Sequence, residues 1–343
     1  MRILICTQKV DTTDPVLGFF HRWIIECAKH FDQITVVCLE EGTHALPQTV
    51  KVFSLGKEKG GSKFMYLIRF YRYLWSLRHD YDAVFVHMNQ IYVLLGGLFW
   101  KLSKKRVFLW YTHKSVTWSL RVATHLVDRV LTASVESFRI ASPKVVVLGH
   151  GIDTEMFAPR ERTHKEVSIM TIGRLSKVKK QDVLIEACAE LRPGVPIRLD
   201  IVGAPVTPED RGYAESLRDQ VQRLGIDHMV HFRGPVSHNE VPELLASAHI
   251  FVNLSDTGSL DKAVLEAMAC GIPVVTSNEA FRPMLSVFGL FCDSSVHAVA
   301  TTLGSLLGRR DQLGEMGREL RSIVTRDHDL SRLIRTIASL YSS

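Results

Sequence analysis

The sequence predicts an α/β protein made of two consecutive doubly wound domains. Three observations predict this architecture. Short apolar runs typical of β-strands alternate with longer segments of helical periodicity, as expected for parallel sheets with crossover helices. The alternation restarts near residue 168. The chain has 343 residues, and because a domain typically has about 100–200 residues, this length suits two domains.

The first half contains six predicted strands, and helical stretches separate several of them. The strands are Arg2–Cys6, Ile34–Leu39, Ala83–His87, Val107–Tyr111, Arg129–Ala133 and Val145–Gly149. Among the helical stretches are Gly18–Lys29 and Lys63–Leu77. Strands that are separated by helices usually pair in parallel, so we expect a parallel first sheet.

The second half repeats this pattern after a polar, charged segment, Pro159 to Lys165, which we predict to be the linker. Its predicted strands are Ser168–Ile172, Ile197–Val202, Val230–Arg233, Ile250–Asn253 and Pro273–Thr276, and its predicted helices are Asp182–Leu191, Tyr213–Leu224 and Lys262–Ala269. We therefore expect domains over residues 1–160 and 166–325, facing a central cleft. Ligands in such sheets bind beyond the carboxyl ends of the strands.

Composition and charge limit the class of protein. Apolar residues make up 46% and charged residues 23% of the chain, near the globular average. The six cysteines are scattered without metal-ligand spacing. The chain does not open on a signal peptide, and its longest apolar run, Ile91 to Trp100, is about half of what a membrane span needs. We therefore expect a cytoplasmic protein, or one attached to a membrane face.

The positive charge is concentrated in the first half. Residues 1–160 contain 21 Lys and Arg against 13 Asp and Glu, a net charge of +8, whereas the whole chain carries +6. A basic half of this kind predicts an anionic partner, such as a membrane surface, a lipid phosphate or a nucleic acid.

The segment from Ser255 to Pro273 reads SDTGSLDKAVLEAMACGIP and combines a small polar loop with a helix. The start of such a helix presents free backbone N–H groups and a favourable dipole to an anion. Ser259, Lys262 and Glu266 share one face of this helix, because they are spaced i, i+3 and i+7. The segment therefore suits phosphate binding, although an ordinary crossover helix with a solvated polar face has the same pattern.

A second segment, Gly173 to Lys180, reads GRLSKVKK and directly follows a predicted strand. Its arginine and three lysines lie at the carboxyl end of that strand, where they could neutralise a diphosphate by charge-assisted hydrogen bonds. The alternative is a solvated basic loop.

Both segments belong to a longer set of motifs that resembles a known family. The matching pieces are GRLSKVKKQDVLIEA, LDIVG, VHFRGPV, FVNLSDTGSLDKAVLEAMACGIPVV and, upstream, VVVLGHGIDTEMFAP. They resemble the family-4 retaining glycosyltransferases, also described as glycosyl transferases of group 1. The resemblance covers nearly the whole chain and is looser in the first half. It implies the GT-B fold, with two Rossmann-like domains and a C-terminal helix, residues 326–343, that packs back on the first domain.

The resemblance also implies roles for named residues. Arg174 and Lys179 would bind the donor diphosphate, and Glu266 would hydrogen-bond the nucleotide ribose. The backbone amides of Gly258, Ser259 and Leu260, before the predicted helix Lys262–Ala269, would meet the distal phosphate or the sugar. The backbone near Pro235 and Val236, after the predicted strand Val230–Arg233, would meet the base.

The sequence departs from the family pattern at two positions. The family usually has a glutamate that faces the donor sugar, eight residues before Glu266, and here that position is Gly258. Asp256 and Asp261 are the nearest acids, and either could bind sugar hydroxyls instead. Lys180 stands where the family commonly has glycine and adds a positive charge.

In the first half, the resemblance places a glycine-bearing loop after the first strand and a histidine near the acceptor. Gly18 matches the glycine loosely, and His113 in FLWYTHKS matches the active-site histidine. His113 would position the donor sugar or the attacking hydroxyl. His87, at the end of a predicted strand, and His21 are further acceptor-side candidates, with a structural role as the alternative for each.

The segment from Lys63 to Arg78 mixes aromatic and arginine residues at helical spacing. It is typical either of a helix that lies on an anionic membrane surface or of a core-facing helix with basic solvent-exposed residues. The sequence leaves both interpretations open.

The expected activity is transfer of a hexose-type sugar, with retention, from a nucleotide-diphosphate sugar to a glycan or lipid-linked acceptor in cell-surface polysaccharide or glycolipid synthesis. Two alternatives share the fold, a sugar-nucleotide 2-epimerase and a non-catalytic binding protein. We expect no cofactor and no metal requirement, and no nucleic-acid partner. The expected location is the cytoplasm, at the inner face of the cytoplasmic membrane if the protein binds it.

Overall fold

The computed structural model describes residues 1–14, 16–160, 166–191 and 196–342. The chain divides into two compact units. The first comprises Met1–Gly151 together with His328–Ser343, and the second comprises Ile152–Asp327. Most of the predicted linker, Pro159 to Lys165, lies outside the described residues. The residues just before it, including Ile152 and Phe157, are buried in the core of the second unit.

The first unit contains a seven-stranded sheet in the order β3-β2-β1-β4-β5-β6-β7, and every pairing is parallel. The strands are β1 (Arg2–Val10), β2 (Gln33–Glu41), β3 (Val50–Ser54), β4 (Ala83–His87), β5 (Arg106–Trp110), β6 (Arg129–Thr132) and β7 (Val145–Val147). The helices are α1 (Phe19–Cys27), α2 (Lys63–Ser76), α3 (Ile91–Leu102) and α4 (Trp118–Leu126). This unit is completed by α12 (Leu330–Ser342).

Strand β3 and helices α3 and α4 are not among the elements named from the sequence. Strand β3 lies at the edge of the sheet, and none of its five residues is fully buried, so it has no apolar run to mark it. Helix α3 contains the apolar run that begins at Ile91, and its high overall apolarity obscures its periodicity.

Helix α12 packs into the core of the first unit by an apolar stripe. Leu330, Leu333, Ile334 and Ile337 are buried there beside α1 and the sheet. The ring of Tyr341 stacks on Phe108 with a centroid separation of 3.8 Å. Its hydroxyl donates a 2.6 Å hydrogen bond to the Val84 carbonyl. The end of the chain is thereby attached to the first sheet.

The second unit contains a five-stranded parallel sheet in the order β10-β9-β8-β11-β12. The strands are β8 (Val167–Ile172), β9 (Ile197–Val202), β10 (Val230–Gly234), β11 (Ile250–Asn253) and β12 (Val274–Thr276). The helices are α5 (Gln181–Ala189), α6 (Pro208–Leu224), α7 (Val241–Ala246), α8 (Lys262–Ala269), α9 (Arg282–Leu285), α10 (Val296–Leu307) and α11 (Leu313–Asp327). The predicted two-domain α/β architecture is confirmed, with two Rossmann-like parallel sheets.

In the second sheet, β8 is the central strand. The chain continues from β8 to β9 and β10 on one side, and then returns to place β11 and β12 on the other side. Strand β8 pairs with β9 on one side and with β11 on the other. This topological switch point is where ligands bind in open parallel sheets, beyond the carboxyl ends of the strands.

Over the residues that the structure describes, no helix combines the length and the apolarity that crossing a bilayer requires.

Candidate functional site

Two loops meet at the carboxyl edge of the second sheet. One runs from Gly173 to Lys180 after β8, and the other runs from Leu254 to Asp261 after β11. Because β8 and β11 are paired neighbours, the two loops lie side by side at the switch point. They contain the two segments that the sequence analysis selected for phosphate binding.

An ion pair joins the two loops. The Lys179 ammonium donates to the Asp261 carboxylate, and the Asn253 side-chain amide donates to the same carboxylate at 3.1 Å. Burial raises the pKa of Asp261, but Lys179 and Asn253 outweigh burial and hold this pKa below its ordinary value. The carboxylate therefore stays ionised and fixes the Lys179 ammonium beside the start of α8.

A second set of contacts joins the same loops. Lys180 Nζ lies 2.7 Å from Asp256 and 2.6 Å from the Ser294 hydroxyl. The Asp256 backbone N–H donates to the Val178 carbonyl at 3.4 Å. Asp256 and Asp261, the two acids considered for binding sugar hydroxyls, are thus both paired with lysines of the neighbouring loop.

Buried polar side chains at the ends of neighbouring strands form hydrogen bonds to the second loop and to the end of β11. Asn278 Nδ2 donates to the Ser259 carbonyl at 2.9 Å and to the Thr257 hydroxyl at 3.4 Å. The Thr276 hydroxyl donates to the Asn253 carbonyl at 2.6 Å. The sequence analysis missed Asn253 and Asn278, although each is a polar residue at or just beyond the end of a strand, which is a usable signal.

The loop turns at Gly258, which has a φ of +64°. This left-handed conformation favours glycine, because a Cβ atom is strained there. The turn therefore gives a physical reason for glycine at the position where the resemblance leads us to expect glutamate. Beyond the turn, Ser259 and Leu260 lead into Asp261, the N-cap residue of α8.

Arg174 points in a different direction from Lys179. Its Nε atom lies 3.7 Å from the carboxylate of Asp210, and about half of its side chain is exposed. Asp210 lies in the first turn of α6. Its carboxylate also accepts hydrogen bonds from the backbone N–H groups of Val206 and Thr207, just before this helix, at 3.2 and 3.0 Å. The two cations predicted for the diphosphate therefore come from one loop, with Lys179 held next to α8 and Arg174 next to α6.

Glu266 lies buried on α8, and its Oε1 atom is 3.0 Å from Nε2 of His238. His238 follows β10 and packs edge-on against the Phe157 ring at 5.4 Å. It is two residues beyond Val236, so it links Glu266 to the strand end where Pro235 and Val236 lie. The segments predicted to meet the ribose and the base are therefore neighbours, and His238 is a further candidate that the sequence analysis missed.

Lys262 lies in the first turn of α8, and burial lowers its pKa to about 7, although Glu266 raises it. In the unfolded chain this pKa is about 10.4. Between these values the unfolded state binds more protons than the folded state, so this residue makes stability rise with pH. We expect wild type to gain stability from pH 7 to pH 10 relative to Lys262→Met.

Denaturant unfolding of both proteins across this pH range measures the effect. The methionine variant lacks the titrating group and serves as the reference. Parallel pH profiles for the two proteins would contradict a depressed pKa at Lys262.

In the first unit, His113 lies just beyond β5, exposed to solvent. Its Nδ1 atom accepts a 3.1 Å hydrogen bond from the Ser115 N–H. With Nδ1 engaged, Nε2 is the ring nitrogen directed away from this turn. The position at the carboxyl edge of the first sheet fits a residue that contacts substrate.

The other first-unit candidates are less accessible. His87 is buried at the end of β4, stacked on the Phe20 ring at 3.8 Å with Nδ1 3.2 Å from the Thr7 hydroxyl. His21 is buried on α1, and its Nε2 accepts a 3.2 Å hydrogen bond from the Ala45 N–H; burial lowers its pKa. These contacts favour packing roles for both histidines. Gly18 is the residue immediately before α1, with its N–H bonded to the Asp14 carbonyl at 3.0 Å.

In the described ranges, no three or more side chains of His, Cys, Asp or Glu come together in a group that could hold a metal ion. The charged groups at the carboxyl edge of the second sheet are instead alternating lysines and carboxylates.

Comparison with known proteins identifies the relatives of this chain. Residues 152–288 match the family described as glycosyl transferases group 1. A GDP-mannose-dependent alpha-(1-6)-phosphatidylinositol monomannoside mannosyltransferase of Mycolicibacterium smegmatis is 30% identical over an alignment of 276 residues that covers 70% of each chain. The putative colanic acid biosynthesis glycosyltransferase WcaL of Escherichia coli is 29% identical over an alignment of 211 residues that covers 57% of this chain and 50% of WcaL.

Solved structures share the fold. The crystal structure of Anabaena Alr3699/HepE in complex with UDP and glucose matches with a TM-score of 0.77 and 19% sequence identity, over 100% of this chain and 99% of that one. The matched region therefore includes both units.

Proposed function

The chain belongs to the group 1 glycosyltransferases and is a glycosyltransferase, and on this premise we propose that it transfers a hexose-type sugar from a nucleotide-diphosphate sugar, with retention, to a glycan or lipid-linked acceptor. We further propose a role in cell-surface polysaccharide or glycolipid synthesis, in the cytoplasm. The observation that carries the proposal is the pair of joined loops, where Lys179 is held beside the start of α8.

The diphosphate is the part of the donor that this site suits best. An ammonium group and the N-terminal N–H groups of a helix stabilise the negative charge that develops on a leaving diphosphate. Arg174, half exposed on the same loop, supplies a second cation. We propose that these groups neutralise the leaving group without a metal ion.

In the reaction, the bond between the anomeric carbon and the diphosphate oxygen breaks, and the acceptor hydroxyl forms the new glycosidic bond on the same face. The departing phosphate oxygen receives the proton of that hydroxyl. We propose that His113 in the first unit positions the attacking hydroxyl, since its imidazole is exposed at a strand carboxyl end. Asp256 and Asp261 hold Lys180 and Lys179, which makes positioning of these lysines their proposed role.

We propose that the nucleoside lies against Glu266, His238 and the segment Pro235–Val236. The M. smegmatis relative is GDP-mannose-dependent by name, whereas the HepE structure contains UDP, so both bases are candidates here. A screen of UDP-, GDP- and ADP-sugars for an increase in melting temperature identifies the donor, because a bound ligand stabilises the folded state.

The same screen tests the function. The preferred donor should then support sugar transfer to acceptor mixtures, with the anomeric configuration retained in the product. Turnover of the donor to its C2 epimer without an acceptor would contradict the proposal and favour an epimerase. Binding with no turnover under any condition would favour a binding protein.

Glu266→Gln tests the ribose contact. If the carboxylate accepts hydrogen bonds from ribose hydroxyls, the variant should bind the nucleoside diphosphate about tenfold more weakly, since a hydrogen bond to a charged group contributes about 1.5 kcal/mol or more. Glutamine keeps the size of the side chain and an acceptor for His238. Isothermal titration calorimetry measures the difference.

The matched control is the ligand rather than a second variant. The 2′-deoxy and 3′-deoxy nucleoside diphosphates lack one ribose hydroxyl each, so the loss caused by Glu266→Gln should shrink with one of them. An equal loss with all three ligands would assign Glu266 to another role.

We also propose that the first unit contacts an anionic membrane through an exposed apolar surface. This surface, called the α2–α3 face, consists of Phe64, Ile68, Tyr71, Trp75, Leu98 and Leu102. Trp75 is 64% and Leu102 is 77% exposed. The two helices are neighbours, since the Tyr71 hydroxyl donates to the Leu95 carbonyl at 3.2 Å.

Phe70 and Leu74 of α2 are buried in the core, whereas five of its large apolar side chains are exposed, namely Phe64, Met65, Ile68, Tyr71 and Trp75. The Arg78 guanidinium lies 4.4 Å from the centre of the Trp75 ring. Arg72 on α2, Lys101 on α3 and Lys104, two residues beyond α3, are exposed. Apolar residues next to basic ones are typical of surfaces that lie on anionic bilayers. This arrangement favours the membrane interpretation of the segment Lys63 to Arg78.

Trp75→Ser should weaken binding to vesicles that contain an anionic phospholipid by about tenfold, since burying a large apolar side chain contributes about 1.5–3 kcal/mol. Binding of wild type should also fall with added salt. Vesicle co-sedimentation measures both. Trp118→Ser, at a tryptophan that is 74% exposed on α4, is the matched control. Equal effects of the two substitutions, or no dependence on anionic lipid, would remove the α2–α3 face as the contact.

A further inference from the structure

A cationic pocket lies at the amino ends of the strands of the first sheet, an edge that has no part in the proposed reaction. It is formed where α3 and α4 end and β5 and β6 begin, and it has a volume of about 230 Å³. Substrates of open parallel sheets bind at the opposite, carboxyl edge, so this pocket is separate from the candidate acceptor side of the same sheet.

Five cationic side chains line the pocket against one carboxylate. They are Lys101, Lys104, Lys105, Arg106 and Lys144, and the carboxylate is that of Asp128. Within the described part of the chain, none of the five forms an ion pair with a carboxylate. Asp128 itself accepts a 2.7 Å hydrogen bond from the Val107 N–H. The pocket therefore keeps a net positive charge of about +4, which favours an anion.

Three of these cations are oriented by hydrogen bonds to backbone carbonyl groups. Lys144 Nζ donates to the carbonyls of Thr124, His125 and Val127, at 3.2, 2.9 and 2.7 Å, at the end of α4. Arg106 donates to the Tyr341 carbonyl at 3.0 Å. Lys105 donates to the Tyr81 carbonyl, and its ammonium lies 4.4 Å from the centre of the Tyr81 ring.

The remaining two lysines are exposed at the pocket rim. One of them, Lys104, has a φ of +55°, a left-handed conformation that costs energy for any residue with a Cβ atom. It ends α3 in the position where glycine is usual, with its N–H bonded to the Lys101 carbonyl at 3.1 Å. A lysine kept where glycine would be more stable points to a use for its ammonium group.

Exposed apolar side chains lie on α3, the helix that contributes Lys101 to the pocket. Leu98 and Leu102, four residues apart on α3, are among the most exposed apolar residues of the chain and belong to the α2–α3 face. Lys101 lies on the same helix and lines the pocket. A cationic cavity at the border of an apolar surface suits a headgroup that carries a phosphate and an acyl chain.

We propose that this pocket binds a phosphate group, and that its source is the headgroup of an anionic phospholipid on which the α2–α3 face lies. The lipid source rests on the membrane contact proposed above, whereas the phosphate site itself does not. A soluble phosphate compound is the other possible source of the same chemistry.

The test compares two double variants of the full chain. Lys101→Gln with Lys104→Gly removes both rim ammonium groups, and the glycine relieves the left-handed strain, so this variant should be at least as heat-stable as wild type. Lys51→Gln with Lys59→Gln removes two exposed lysines of the same unit from outside the pocket. The two variants have equal net charge, which makes the second the control.

The first arm measures binding to phosphatidylcholine vesicles with and without phosphatidylglycerol. We expect the pocket variant to bind about 25-fold more weakly than wild type, since each of the two lysines near an anionic surface contributes about fivefold. The control variant should lose no more than about threefold through long-range charge. This outcome supports a lipid source.

The second arm measures the melting temperature with inorganic phosphate, against chloride at equal ionic strength. Phosphate should stabilise wild type and the control more than the pocket variant, whereas phosphate bound at the donor site would stabilise all three equally. A difference in this arm alone supports a soluble phosphate ligand in the same pocket and rejects the lipid source. Two variants that match each other in both arms overturn the proposal, and because their donor sites are intact, that result leaves the proposed transferase activity unaffected.

Discussion

Lys179→Ala is expected to lower affinity for the nucleoside diphosphate, and kcat/KM for the donor, by about 10–150-fold. A hydrogen bond between charged groups contributes about 1.5–3 kcal/mol, and Asp261, the N-cap residue of α8, holds the ammonium of this lysine beside the start of the helix. The loss should appear with the nucleoside diphosphate and be absent with the nucleoside alone. Titration calorimetry with both ligands separates a diphosphate contact from a general change in the site.

Two controls belong to this prediction. Lys177→Ala removes an exposed ammonium from the same short turn and should have little effect on binding. Lys179→Ala also leaves the Asp261 carboxylate buried without its counter-charge, so the double variant with Asp261→Asn shows whether folding contributes. Arg174→Ala should weaken binding in the same direction, by about 1.5–3 kcal/mol. Wild-type binding by both the Lys179 and the Arg174 variants would contradict the assignment of the diphosphate site.

Gly203→Ala is expected to destabilise the second unit by about 3 kcal/mol or more. Gly203 follows β9 with a φ of +141°, and a Cβ atom there would lie 1.9 Å from the Gly173 carbonyl oxygen. Either the backbone of β9 or the loop that contains Arg174 must move, and overpacking of this kind costs about 1–3 kcal/mol in addition to the conformational strain. For a unit of this size the melting temperature should fall by about 6–12 °C.

Gly234→Ala separates the two causes of that effect. Gly234 has a φ of +73°, but nothing lies within 4 Å of the added Cβ atom, and its carbonyl accepts the Gly203 N–H at 2.8 Å. This variant should lose only the conformational term, about 1–2 kcal/mol. Differential scanning calorimetry measures both proteins. If Gly203→Ala melts at the same temperature as Gly234→Ala, the contact of the added Cβ atom with the Gly173 carbonyl does not contribute to the loss of stability.

Much of the fold could be predicted from the sequence because its strands are buried on both faces. Such strands are continuous apolar runs, as in β4, β8 and β11, and these lie within a residue or two of their predicted positions. The edge strand β3 and the C-terminal part of β1 could not be predicted in this way. Neither is a continuous buried apolar run: no residue of β3 is fully buried, and β1 ends with the polar, half-buried Gln8 and Lys9 before Val10.

The candidate site was predictable in its loops but not in its contacts. Gly173–Lys180 and Ser255–Asp261 could be selected because basic residues follow a strand and small polar residues precede a helix, and both are local signals. The pairing of Lys179 with Asp261 joins residues 82 positions apart. His238 approaches Glu266 from another strand end, so it carried no signal next to Glu266 in the sequence.

The sequence by itself therefore determined the two-domain α/β class, the group 1 glycosyltransferase family and the two loops of the candidate site. It could do so because periodicity, turn chemistry and motif spacing are properties of neighbouring residues. The tertiary structure alone decided which carboxylate holds which lysine, that His87 and His21 are buried while His113 is exposed, and that five separate basic residues line one pocket. These facts depend on which strand ends and helix ends are neighbours in space. The order of the strands in each sheet, rather than the local sequence, decides which ends are neighbours.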